Sequence, residues 1–137
     1  MGRGENPGII LQAPTALPYD ANLPYGHAKA SDGYCLSVNR NAGDNRVTLS
    51  GNNQIILGLF VELHEDGKAS YMPYGYPLFL RQSSAAIASG RKFLGGGDGK
   101  IKTTPNTDST QTAARSRGVV LMPLGSADGD LVKVLLF

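Results

Sequence analysis

Hydrophobic and polar positions along this chain change places in short runs, each bounded by turn-forming residues. Residues 34–38 lead through a loop of turn formers, Asn39 to Asn45, into Arg46-Val47-Thr48-Leu49-Ser50, where apolar and polar side chains alternate. Alternation with period two is the mark of a half-buried strand, so the two runs predict a β-hairpin. After Gly51-Asn52-Asn53, residues 54–63 are apolar on both faces, which predicts a deeply buried strand with Gly58 at a bulge or close backbone approach. His64-Glu65-Asp66-Gly67 then turns the chain into residues 68–72, and Tyr74-Gly75-Tyr76 precedes a further apolar run at 77–81. The final strands, 118–124 and 130–137, flank a Gly-rich turn, and the nearly continuous apolar run from Leu131 to Phe137 places the end of the chain in the core. One short helix is predicted, over residues 83–89, with Gly90 as its C-terminal cap. Two turns of helix need tertiary support, so it adds little by itself.

The landmarks recur. Gly26, Asp32-Gly33, Gly58-Leu59-Phe60-Val61 and Asp66-Gly67 stand in the same order as Gly90, Asp98-Gly99, Gly118-Val119-Val120-Leu121 and Asp128-Gly129. Two similar β units, at about residues 25–75 and 89–137, follow from this order, each the size of one supersecondary unit.

Residues 1–25 have another character. Pro7, Pro14, Pro18 and Pro24 interrupt Ile9, Ile10, Leu11, Leu17, Tyr19, Leu23 and Tyr25. Proline at such intervals forbids a long helix and cannot donate within a central strand, so the segment reads as an extended arm ahead of a single β domain at 26–137. Its apolar content points two ways: the arm packs along its own domain, or it adds to the edge of a neighbour. Tyr71, Tyr74 and Tyr76 cluster further on, suited either to internal packing or to an interface. The candidate interface is therefore Pro7, Ile9, Ile10, Leu11, Pro14, Leu17, Pro18, Tyr19, Leu23 and Tyr25 of the arm with Tyr71, Tyr74 and Tyr76.

Composition narrows the class. A chain of 137 residues fits one domain able to bury roughly two-thirds of its unfolded surface. Its 18 glycines and 8 prolines, with no tryptophan, favour turns and short strands. The 13 basic and 11 acidic residues are scattered and leave a net charge of +2, so no basic field marks a nucleic-acid partner. No apolar run is long enough to span a bilayer, and the first six residues do not form a secretory signal. The lone Cys35, between Tyr34 and Leu36, reads as a small buried hydrophobe.

The search for chemistry returns little. Gly95-Gly96-Gly97-Asp98-Gly99-Lys100 invites comparison with a phosphate loop, but Leu94 stands where its first glycine belongs and Ile101 where its hydroxyl belongs, so a hairpin turn is the better reading. His27 and His64 lack partners at metal-ligand spacing, and Asp128-Gly129-Asp130 offers too few oxygens for calcium. There is no nucleophile elbow. The reading is a protein without catalytic residues, cofactor or metal, acting by its shape and surface.

Residues 85–94, Asp98-Gly99-Lys100-Ile101, Arg117-Gly118-Val119-Val120-Leu121 and Gly129-Asp130-Leu131-Val132-Lys133-Val134-Leu135-Leu136 together resemble the capsid cement, or head decoration, proteins of tailed bacteriophages. The resemblance covers about residues 26–137 and is clearest after Ala85. It implies an all-β fold, a small β-barrel or β-tulip in which the two units form similar halves, frequently trimeric. It also implies a virion protein, made in the host cytoplasm, that binds the outer capsid surface and bridges neighbouring copies of the major capsid protein. Membrane and nucleic acid have no part in that role. The alternative is a surface-displayed adhesion or glycan-binding β module with Tyr71, Tyr74 and Tyr76 as its aromatic platform.

Overall fold

A computed structural model of the chain describes residues 9–23, 26, 36–40, 43–83, 87–103 and 116–137. Among these the chain is all-β, with ten strands: β1 (Leu11–Pro14), β2 (Ser37–Arg40), β3 (Val47–Leu49), β4 (Gly58–Leu63), β5 (Lys68–Met72), β6 (Gly75–Arg81), β7 (Phe93–Gly97), β8 (Lys100–Thr103), β9 (Gly118–Pro123) and β10 (Leu131–Leu136). The first five form one antiparallel sheet in the order β1-β5-β4-β2-β3. The second five repeat that order. Strands β6-β10-β9 form one sheet, the bridge between Lys92 and Val119 leads from β9 to the start of β7, and β7 pairs with β8.

The repetition extends to single residues. In β4, Phe60 pairs with Tyr71 and Glu62 with Ser70, so Val61 is an extra residue; in β9, Val120 pairs with Val134 and Met122 with Lys133, so Leu121 is extra in the same place. A bulge adds local twist and bends the strand, which curls both sheets alike. In each unit the edge strands then meet at one parallel bridge, Thr15 with Val47 and Gln82 with Ile101. One bridge is not a ladder, so the described residues form two curled units, the first one five-stranded sheet and the second a three-stranded and a two-stranded sheet, and no closed barrel, in place of the single barrel that the resemblance implies.

Each unit has its own core. Ala13, Val38, Val47, Phe60, Ala69 and Tyr71 belong to the first; Leu80, Phe93, Ile101, Val120, Val132 and Val134 hold the matching positions in the second. Volume is traded between neighbours. At this pair of positions the first unit has Val38 with Phe60 and the second has Phe93 with Val120, so the phenylalanine comes from β4 in one core and from β7 in the other. Hydrophobic exchanges that keep total volume are the ones a packed core tolerates.

Several expectations take a different form in the structure. Residues 11–14 of the predicted arm are β1, antiparallel to β5 with Leu11 opposite Tyr71 and Pro14 opposite Lys68. Thr15 extends the contact by donating its hydroxyl to the Val47 carbonyl at 2.6 Å. The repeating unit thus takes in β1 and β6, spanning residues 11–72 and 75–136 rather than 25–75 and 89–137. No helix occurs among the described residues: Ser83 donates its amide to Ile101 at 2.8 Å, as an extension of the sheet, Ile87 and Ala88 are non-helical, and 84–86 lie outside the described residues. A run this short has no hydrogen-bond surplus to set against such pairing. Residues 54–57 precede β4 without joining a strand, and β10 alternates between half-buried and buried instead of lying wholly in the core, with Phe137 57% exposed.

The glycine-rich run joins the units. Asp98 and Gly99 have φ of 52° and 79°, the left-handed pair of a tight two-residue hairpin turn between β7 and β8. Gly95 exchanges backbone hydrogen bonds with the first unit, its carbonyl accepting from Asn53 at 2.9 Å and its amide donating to Gln54 at 2.8 Å. A Cβ there would lie 2.1 Å from the Gly51 carbonyl oxygen, which is why only glycine fits. Arg117 completes the junction. Its guanidinium donates to the carbonyls of Leu57 (2.9 Å), Pro73 (3.0 Å) and Phe137 (3.1 Å).

Candidate functional site

The candidate interface residues do not gather in one place. Ile9, Ile10 and Leu11 are 47%, 53% and 43% exposed where the described chain begins, and Pro14 is exposed at the other end of β1. Leu17 packs against the first core, Pro18 and Tyr19 are exposed, and Leu23 is half-buried. Tyr71 is turned into the core on β5, Tyr74 is half-buried between β5 and β6, and Tyr76 lies on β6. Pro7 and Tyr25 lie outside the described residues, as do His27 and Cys35.

A surface that the sequence does not single out emerges from comparing the outer faces of the two units. On the second, strand pairing sets Phe79, Lys133 and Met122 in one cross-strand row over β6, β10 and β9. Arg81 and Leu131 form the next row, with Leu124 beside them through its amide bond to the Leu131 carbonyl at 3.0 Å. Phe79, Met122 and Leu124 are 38%, 49% and 50% exposed. The matching rows of the first unit are Gln12-Ser70-Glu62 and Pro14-Lys68-His64. Those side chains are mostly polar, and His64 Nε2 lies 2.5 Å from the Ser70 hydroxyl in a hydrogen bond. One backbone plan therefore carries a polar outer face in the first unit and a largely apolar one in the second.

The charges on the apolar face are basic. Arg81 donates from Nη1 to the Gly129 carbonyl at 2.6 Å and so is tied to the β9–β10 turn. The Lys133 ammonium has no ion pair among the described residues. Within the same unit, Lys100 of β8 pairs with Asp128 of the β9–β10 turn at 2.8 Å, a surface pair of small energetic weight. Alternation could have disclosed this face: Phe79 stands between Leu78 and Leu80, and Lys133 between Val132 and Val134, so the partners of the buried set must point outward.

Among the described residues no group of three or more His, Cys, Asp or Glu side chains is placed to hold a metal ion. No described helix is long and apolar enough to cross a membrane.

Comparison with known proteins gives a likeness of fold. No protein family and no curated protein matches the sequence. Among solved structures, the N base of the head fiber protein gp8.5 of bacteriophage phi29 is similar, with a TM-score of 0.53 and 15% sequence identity over 94% of this chain and 93% of that one. At that identity the shared property is the fold, and it is shared over nearly the full length of both chains.

Proposed function

We propose that this chain is a structural protein of a phage head, seated on the outer surface of the assembled capsid and linking neighbouring copies of the major capsid protein. The observation that carries the reading is the likeness to the base of a head fiber protein, which spans almost the whole of each chain. The resemblance of residues 85–136 to cement proteins arises separately, from sequence, and points to the same setting.

The physics of such a role needs a rigid body with a sticky surface. Two fused units with separate cores supply the rigidity, and the exposed apolar face of the second supplies area for contact. A protein that binds the assembled shell and not its free subunits stabilises the shell by mass action. Copies that associate, with a trimer as the proposed state, hold several shell subunits at once and gain from the high effective concentration of the second and third contact.

Co-sedimentation tests this. Purified protein mixed with expanded, undecorated capsids is expected to pellet with them to a saturating ratio, and to raise the temperature at which they break open. Protein that stays in the supernatant at all concentrations overturns the reading.

A further inference from the structure

Because the two units share strand order, register and even the position of a bulge, each serves as a control for the other. What folding requires of these positions is met in the first unit by the polar side chains of Gln12, Glu62, Lys68 and His64, with Ser70 at their centre buried, 2% exposed and hydrogen-bonded to His64. Apolar side chains at the matching places in the second unit, Phe79, Met122, Leu131 and Leu124, are therefore not demanded by the fold. Exposed apolar side chains gathered on one face mark interaction sites.

We propose that the outer face of β6, β10 and β9, centred on Phe79, Lys133 and Met122, docks on a partner protein surface that presents a carboxylate among apolar side chains. On the reading above, which this inference extends, that partner is the capsid shell. The carboxylate follows from Lys133. Lys133 stands in the strand register between Phe79 and Met122, and its ammonium has no ion pair among the described residues, so an apolar surface laid over the two also covers this cationic residue. Covering an unpaired ammonium is costly, and a facing carboxylate offsets the loss of water. The same charge argues against this face meeting itself across a two-fold axis, since that would bring Lys133 and Arg81 of one copy against the same two cations of the other.

The test transplants the first unit's face onto the second. Phe79→Gln with Met122→Glu installs the residues that the matching positions already carry, so folding is preserved, and melting temperature and elution volume are expected to match those of the parent. Lys133→Glu reverses the central charge. Binding to expanded capsids is measured by co-sedimentation at two salt concentrations. The double substitution is expected to weaken binding at least about thirtyfold, and Lys133→Glu by a similar factor, the scale of a lost desolvated charge contact. Parent binding should also weaken as salt is raised.

Parent and variants that bind capsids equally overturn the docking face and leave the capsid role standing. A parent that ignores capsids overturns both. A parent that self-associates through this face, becoming monomeric in the double variant while capsid binding is unchanged, also overturns the proposal.

Discussion

A single methyl group at Gly118 tests whether the two units are packed as described. A Cβ built there lies 2.3 Å from Cε1 and Cζ of Phe93 and 3.0 Å from the Leu135 carbonyl oxygen. Carbon atoms rest at about 3.5–4.0 Å, so the ring must retreat by more than about 1 Å within a core where Phe93 is 1% exposed. Overpacking of this kind costs roughly 1–3 kcal/mol, and the upper end applies because the ring has no surface to escape to. For 137 residues the entropy of unfolding is about 0.3 kcal/mol/K, so Gly118→Ala should lower the melting temperature by roughly 10 °C. Phe93→Val alone opens a cavity and costs about 2–3 kcal/mol. Combined with Gly118→Ala, the added methyl occupies part of that space. The double variant should lose less than the sum by about 1 kcal/mol or more. Gly58, the equivalent glycine on β4, behaves differently, because its Cβ would meet the backbone carbonyl of Met72, with oxygen at 2.5 Å and carbon at 2.9 Å. Trimming its neighbour Val38 to Ala should therefore leave Gly58→Ala unrescued. Thermal unfolding followed by circular dichroism and urea midpoints reads the parent, each single variant and both double variants. A Gly118→Ala protein melting within about 2 °C of the parent, or losses that simply add, would refute the packing.

Three further predictions rest on other parts of the fold. Exchanging the core volumes, Phe93→Val with Val120→Phe, reproduces the first unit's Val38 and Phe60 arrangement and should be at least about 1 kcal/mol more stable than the sum of its two single changes, as read by urea denaturation. Arg117→Ala strips donors from three carbonyls and should cost about 2–4 kcal/mol, while Arg117→Lys recovers only a fraction because one ammonium cannot reach all three; the same midpoints measure it. Removing residues 135–137 takes away Leu136, 1% exposed and paired with both Gly75 and Gly118, and should lower the melting temperature by roughly 10 °C, with an unchanged value contradicting the role of β10.

Much of the fold was legible in the chain because its signals are local. Val47-Thr48-Leu49 alternates, Asp98-Gly99 supplies a left-handed turn pair, and both appear in the structure as a strand and a tight turn. Duplication was legible from Gly58 and Gly118, each of which opens a strand at a close approach, Gly58 to the Met72 backbone and Gly118 to the Phe93 ring. The extent of the unit was not, because β1 and β6 look unlike one another: Leu-Gln-Ala-Pro against a seven-residue strand whose middle is Leu-Phe-Leu. Their equivalence lies in what they pair with, β5 and β10, and pairing is a non-local property. The proline-spaced start of the chain was readable as extended, while its partner was open. Ala13, small enough to enter the first core opposite Ala69, is the residue that ties it to its own sheet. Deleting residues 1–24 would thus remove β1 and weaken the first unit whatever the segment contacts outside. The apolar outer face escaped notice for a related reason. A strand such as β10, apolar on nearly every residue, reads as buried on both sides until its alternation of half-buried and buried positions is seen.

The capsid role is tested most directly by electron cryomicroscopy of expanded, undecorated capsids mixed with a saturating excess of the purified chain. The account predicts added density on the outer surface that fits the two-unit fold, spans neighbouring shell subunits and meets them through Phe79, Lys133 and Met122. Capsids that remain bare under saturating conditions contradict it.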